Sequence, residues 1–327
     1  MPTKLRRSQG GAAFPPYQLL DADYIAETHE RTKRLERIYH VAHDKAWDGR
    51  KVLAELIERH GGISLPDDKR AAIGKVFSII LWGELAAWVI SAELAERLPD
   101  VEARMAATSQ AFDEARHFFV MRDYLLALDI ELPPLDGFSH AVLSELLATD
   151  SLVRKLIGMQ LMVEHVALNL FKLVAETRVE PVLADLLPYF VRDEARHVAL
   201  GTLYLPQMLK GLGSLGFLEV AWTQAKIQVL LTWATVMMRD SFETLGLDTN
   251  GGLRFGGREL TRSLQAIKEG APRGVVILPK PLRRLNSLSI DYFFPPRDVD
   301  PPAWQRACLK VLSGVGNTAD RVLRATG

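Results

Sequence analysis

The chain has 327 residues, 48% hydrophobic and 24% charged, with 40 basic and 40 acidic side chains. That balance provides for a sizeable core and leaves no excess charge to grip nucleic acid or an anionic membrane. One cysteine, Cys308, excludes an intramolecular disulfide framework and a cysteine-built zinc site, and fits a reducing cytoplasm.

The N-terminal stretch MPTKLRRSQGGAAFPPYQLL is basic but lacks the apolar centre of a signal peptide. After this polar, proline-bearing lead, HDKAWDGRKVLAELIERHGG reads as an amphipathic helix closed by Gly61 and Gly62. A long helix is expected from Asp67 to Leu98, with Pro66 as start signal and Pro99 as stop, and a second from Asp100 to Leu128. A short helix over Ser139–Ala148 leads to a third long one, Ser151–Thr177. The fourth starts at Glu180–Pro181 and runs to Lys210. A fifth, Phe217–Leu245, follows. DTNGGLRFGGREL and GAPRGVVILPKPLRRLN read as loop-rich, with one short helix between them and another at Trp304–Leu312. The one strand candidate is Gly274–Leu278. The longest apolar run, VFSIILWGELAAWVI, carries a glutamate at its middle, which argues against a membrane span. The expectation is one all-α unit: an extension over 1–66, a four-helix bundle over 67–211, and a helical extension over 212–327.

The pentapeptide DEARH occurs twice, at Asp113–His117 and Asp193–His197. Each copy is preceded by an isolated carboxylate in an apolar helix: Glu84 lies 30 residues before Glu114, and Glu164 lies 30 before Glu194. Each pair brackets a helical turn, near Pro99 and near Pro181. Fifteen residues up one helix and fifteen down the next is about 22 Å each way, so the paired glutamates return to one level. Within DEARH, Glu and His are three apart and share a helix face. Two such hairpins side by side bring Glu84, Glu114, His117, Glu164, Glu194 and His197 to one point.

Four carboxylates and two imidazoles suit a dinuclear iron or manganese site in a helix bundle. Carboxylates neutralise and bridge two divalent ions, imidazoles complete each metal, and the hard donor set disfavours Cu(I) and structural zinc. Asp113 and Asp193 are the natural acceptors for the outer ring N–H of a ligand histidine on the opposite hairpin. Arg116 and Arg196 are placed to hold those aspartates or offset the site's charge. The competing reading of one DEARH alone is a solvated, salt-bridged turn; two copies at equal spacing favour the metal site.

With these residues in place, the chain resembles the ferritin-like superfamily of di-iron carboxylate proteins over roughly residues 67–211. The doubled E…DEARH pattern is similar to that of bacterial multicomponent monooxygenase hydroxylases and their relatives. The resemblance implies a ferritin-like bundle with two Fe ions, or a Mn/Fe pair, that activates O2. It also implies a small or medium organic substrate to be hydroxylated, N-oxygenated or desaturated, and electrons from an external donor or from the substrate. A ferroxidase or iron-handling protein without organic substrate is the alternative, and a homodimer is compatible with either. Three positions depart from known subfamilies. Met121 stands where ribonucleotide reductase small subunits carry a radical tyrosine. Phe190 stands where the p-aminobenzoate N-oxygenase family has a third histidine. Leu168 stands where hydrocarbon monooxygenases have an active-site threonine.

Weaker signals complete the reading. Tyr124 and Tyr204, each seven residues after a DEARH histidine, read as electron relays or as core tyrosines of an ancient duplication. Ala87 and Ala167 read as room left beside the metals or as default helix residues. Trp82 and Trp88 read as pocket walls or core filling. Pro188 and Pro206 are expected to bend the fourth helix. His165 points away from Glu164 and stays outside the site. His40 and His43 read as surface residues. The basic residues Arg254, Arg258, Arg262, Arg273, Lys280, Arg283 and Arg284 form a solvated face or an anion site.

Overall fold

The computed structural model describes residues 22–271, 280–296 and 299–326, and among these every regular element is helical. In chain order they are α1 (Ala22–Asp44), α2 (Gly49–His60), α3 (Asp67–Arg97), α4 (Val101–Ala127) and α5 (Gly137–Ala148). A continuous rod follows, made of α6 (Leu152–Lys155), a π-helical segment (Leu156–Val163) and α7 (Glu164–Thr177). Then come α8 (Pro181–Leu209), α9 (Ser214–Met237), α10 (Arg239–Thr244), α11 (Thr249–Gly270), α12 (Lys280–Phe293) and α13 (Ala303–Thr326). The N-terminal lead and the strand candidate Gly274–Leu278 lie outside the described residues.

Two helical hairpins dominate. α3 packs along α4, α7 packs along α8, and α4 and α8 bring the hairpins together. α1 lies on α4 and α8, α2 on α8, and α11 on α7 and α8. α9 and α13 cover α5, while α12 bridges α9 and α11.

Hydrophobic burial divides the interior in two. One cluster gathers Ile90, Leu94, Ala103, Ala107, Met159, Leu200 and Leu205; the other gathers Ile73, Phe77, Val120, Phe171, Leu183 and Phe190. The helices of both hairpins cross from one cluster to the other. On α3 the crossing falls between Leu81 and Ala86, on α4 between Ala107 and Val120, and on α8 between Phe190 and Leu200. These intervals contain Glu84 and both DEARH segments, so the polar residues form a layer sealed above and below by apolar packing.

Several expectations change. α1 is a full helix where only a polar lead was expected; it shows few apolar residues because it rests on the molecule through a narrow stripe, including Leu35, Ile38 and Ala42. The next helix starts only at Gly49, where the Asp48 side chain accepts from the amides of Arg50 and Lys51. DTNGGLRFGGREL belongs to α11, not to a loop. A Cβ on Gly252 would lie 2.9 Å from Leu173, and one on Gly256 2.5 Å from Asn169. The glycines that read as loop signals let α11 approach α7, and that packing outweighs their poor helix propensity. The fifth helix ends at Met237, with α10 following, and α13 extends well beyond Leu312. α8 stays helical through Pro188 and Pro206.

Trp82 and Trp88 do not fill the core; they are 46% and 39% exposed, and neither lines the cavity beside Glu84. α3 and the rod Leu152–Thr177 are both long and apolar enough to cross a membrane, with 61% and 67% of their most apolar windows buried against the rest of the protein.

Candidate metal centre

The structure brings Glu84, Glu114, His117, Glu164, Glu194 and His197 together, all buried. They form two overlapping groups, each with ligand atoms within 4.8 Å of one another: Glu84, Glu114, His117 and Glu194; and Glu114, Glu164, Glu194 and His197. Glu114 and Glu194 belong to both. His165, by contrast, turns away and pairs with Ser263 through Nε2 at 3.1 Å.

Both histidines point Nδ1 into the cluster. His117 Nδ1 lies 3.1 Å from Glu194 Oε1, 3.3 Å from Glu84 Oε2 and 3.5 Å from Glu114 Oε2, yet it makes no hydrogen bond. Glu114 Oε2 and Glu194 Oε1 are likewise buried without a hydrogen-bond partner. Polar atoms this close, buried and with no aligned N–H between them, converge on a common point, the arrangement a cation satisfies. His197 Nδ1 lies 2.9 Å from Glu194 Oε2 and 3.0 Å from Glu114 Oε1. These buried groups can hold metal ions.

The outer nitrogens cross between hairpins. His117 Nε2 meets Asp193 Oδ2 at 3.3 Å and His197 Nε2 meets Asp113 Oδ2 at 3.4 Å. Arg116 donates to Asp113 and, at 2.9 Å, to Asp193. Arg196 donates to Asp113 at 2.7 Å and to Asp193 at 2.8 Å. The four form a closed square of two cations and two anions that fixes both ring orientations and ties α4 to α8. The same exchange recurs at the turns: Tyr204 on α8 donates to Asp100, the N-cap of α4, at 2.6 Å, while Tyr124 on α4 donates to Glu180, the N-cap of α8, at 3.0 Å. Both tyrosines are buried core residues with these hydroxyl contacts.

Electrostatics divides the carboxylates. Burial pushes Glu84 and Glu164 well above the usual carboxylate range; His117 offsets it only in part at Glu84, and at Glu164 the neighbouring Glu194 and Glu114 add to the rise. Burial also opposes ionisation of Glu114, but His197 and His117 outweigh it and hold that carboxyl well below its usual value. Burial would lower both histidines; Asp193 with the glutamates around His117, and Glu114 with Glu194 around His197, raise them well above the ordinary imidazole value instead. The cluster thus compensates its negative charge with protons that a divalent cation would displace.

Three neighbours were not foreseen. Trp47, in the link between α1 and α2, donates from Nε1 to Asp193 Oδ2 at 2.7 Å, beneath the Arg116 guanidinium 4.9 Å from its ring centre. Gln110 donates to Glu114 Oε1 at 3.0 Å and Glu164 Oε1 at 3.1 Å; its place one turn before Glu114 on an apolar stretch is a signal that could have found it. The π-helical turns lead directly into Glu164, a placement frequent at functional sites.

Beside the cluster, between α3, α5 and the rod, lies a cavity of about 90 Å³. Glu84 and Glu164 stand in its wall; Ala87, Val142, Met159 and Ala167 make it apolar. Comparison with protein-family models and with curated proteins gave no match, so the reading of this site rests on its geometry.

Proposed function

We propose that the protein is a ferritin-like four-helix bundle with a dinuclear iron centre, and that it is an oxidase or oxygenase acting on a small or medium organic molecule. The observation that carries this reading is the pair of four-residue groups sharing Glu114 and Glu194, with an apolar cavity against Glu84 and Glu164. Glu84 and His117 would hold one metal, Glu164 and His197 the other, and Glu114 and Glu194 both. A Mn/Fe pair fits the same donors.

Glu84, Glu114, His117, Glu164, Glu194 and His197 would hold two ferrous ions, which would supply the reducing power for dioxygen activation. The protein's own part is positional. The Asp113–Arg116–Asp193–Arg196 square keeps Nδ1 of each histidine turned inward and its outer N–H engaged. The two apolar clusters keep bulk water from the carboxylates, and the cavity wall places an apolar group next to Glu84 and Glu164. Electrons for repeated turnover come from an external donor or from the substrate.

Anaerobic ferrous loading of the apoprotein followed by oxygen exposure tests this reading, with metal analysis and optical spectra taken over time. Two irons per chain and an oxygen-dependent absorbance change that candidate substrates accelerate are expected. Many irons per chain deposited as mineral would replace the oxygenase reading with an iron-handling one. Failure to bind two metals would overturn both.

A further inference from the structure

A second cavity, of about 140 Å³, lies between α7, α9, α11 and α12. Val166 and Leu231 line both this outer chamber and the inner one at Glu84 and Glu164. The rod also serves both, with Met162 facing outward and Met159 and Val163 inward. Two side chains, one of them the half-exposed Val166, therefore form the partition between the outer chamber and the cluster.

The lining selects a chemistry. Among the described residues, those in the wall of the outer chamber include no Asp, Glu, Lys or Arg; their polar groups are neutral, among them Asn169, Gln228, Thr232 and Asn286. His165, also in the wall, pairs with Ser263 through Nε2 and leaves Nδ1 buried without a hydrogen-bond partner. Gln228 donates from Nε2 to Asn286 Oδ1 at 3.0 Å, whereas Asn169 donates to the His165 carbonyl and leaves Oδ1 buried without a hydrogen-bond partner. A charged ligand would lose its hydration with no opposite charge among these described wall residues to offset it. An uncharged donor meets Asn169 Oδ1, and an alkyl chain meets the rest.

We infer that the two chambers are one binding path, partitioned by Val166 and Leu231, for an elongated and uncharged organic molecule. Its hydroxyl or amide end lies in the outer chamber at Asn169, and its apolar end reaches past Leu231 to Glu84 and Glu164. The inference rests on the proposed oxygenase role for its consequence: oxidation falls on the apolar end, remote from the polar group. Binding itself does not depend on that role.

The test is calorimetric titration of the apoprotein with straight-chain primary alcohols from hexanol to dodecanol, beside carboxylates and alkylammonium ions of matching length. Affinity for the alcohols should rise about fourfold per methylene until the path is filled, then level off. The charged analogues should bind about tenfold or more weakly. Leu231→Trp should move the levelling point to a shorter chain. Val166→Phe, at a position with one side already in solvent, should do the same if the first variant does not fold. A levelling point unchanged in the folded variants would overturn the single path, and equal binding of charged analogues would overturn the neutral ligand class. Iron loading of the same samples separates the two ideas: no alcohol binding with two irons retained defeats this inference alone, whereas loss of two-iron binding defeats the proposed centre.

Discussion

The two hairpins of the molecule carry the same chemical residues at an offset of 80 positions but set them in different surroundings. Glu84, Asp100, Asp113, Glu114, Arg116, His117 and Tyr124 in the first answer Glu164, Glu180, Asp193, Glu194, Arg196, His197 and Tyr204 in the second. The aspartate–arginine square and the tyrosine–cap bonds obey that exchange in both directions. The neighbours do not. Phe190 stacks on His117 with ring centres 4.3 Å apart, whereas its counterpart, Gln110, donates to Glu114 and Glu164. Only the second hairpin begins with π-helical turns, and only Asp193 receives Trp47. The repeated residues therefore build a symmetric ligand frame, and the unrepeated ones make its two halves unequal.

The largest effect tests whether the halves are separable. Glu114→Ala removes a member of both four-residue groups and should abolish tight binding of two irons with the helices intact. Glu84→Ala and Glu164→Ala each remove a member of one group and should leave about one iron per chain. Metal analysis after anaerobic loading, with circular dichroism as the folding control, decides it. Equal loss of both irons in all three variants would show the two positions to be inseparable.

The next comparison sets Asp193 against Asp113. Removing either leaves both buried arginines with one anion instead of two, which costs about 3–5 kcal/mol. Asp193 also accepts from Trp47 and lies 3.5 Å from Arg192, so Asp193→Ala should cost about 1–3 kcal/mol more than Asp113→Ala. Urea denaturation of the two apoproteins measures the difference. Equal losses would mean that Trp47 adds nothing to the square.

How much of this is legible in the sequence follows from what the signals depend on. The ligand frame is legible because helix geometry converts equal 30-residue intervals and a three-residue spacing into coincidence in space. The crossing of histidines to opposite aspartates follows from the same repeat. Trp47 carries no such periodicity; it reaches Asp193 from a link whose path depends on how α1 and α2 pack. The π-helical turns lie in LIGMQLMV, an apolar run with no breaker to mark it. α11 is misread for the opposite reason, since its glycines carry a loop signal locally and a packing role only once α7 is beside them. Trp82 and Trp88 mislead in a third way: hydrophobicity predicts burial on average, but these two lie on the outer face of α3.

The proton balance of the cluster gives a pH dependence with a definite sign. Glu84, Glu164, His117 and His197 are all raised in the metal-free cluster, and the ligating atom of each must be free of its proton, the histidines keeping only the outer N–H. Lower pH favours the protonated, metal-free form, so iron affinity should fall as pH drops and rise as it increases through neutrality. The slope should be about tenfold per pH unit for each proton released. Calorimetry in buffers of different ionisation enthalpy counts those protons. A flat profile across neutral pH would mean that the metal displaces none.

The smallest effect probes where the hairpins are most alike. Tyr124→Phe and Tyr204→Phe each delete one buried hydroxyl that reaches across to the N-cap of the other hairpin. Glu180 still caps α8 through the amides of Val182 and Leu183, at 3.0 and 2.6 Å. Asp100 makes no cap bond of its own and retains Gln207, which donates at 2.7 Å. Each loss should therefore cost about 1 kcal/mol, the net worth of one such bond, with iron stoichiometry unchanged. If Tyr204→Phe proves much the costlier, the turn at Asp100 relies on its tyrosine more than the turn at Glu180 does, and the inequality of the halves extends from the ligands' neighbours to the ends of the helices that carry them.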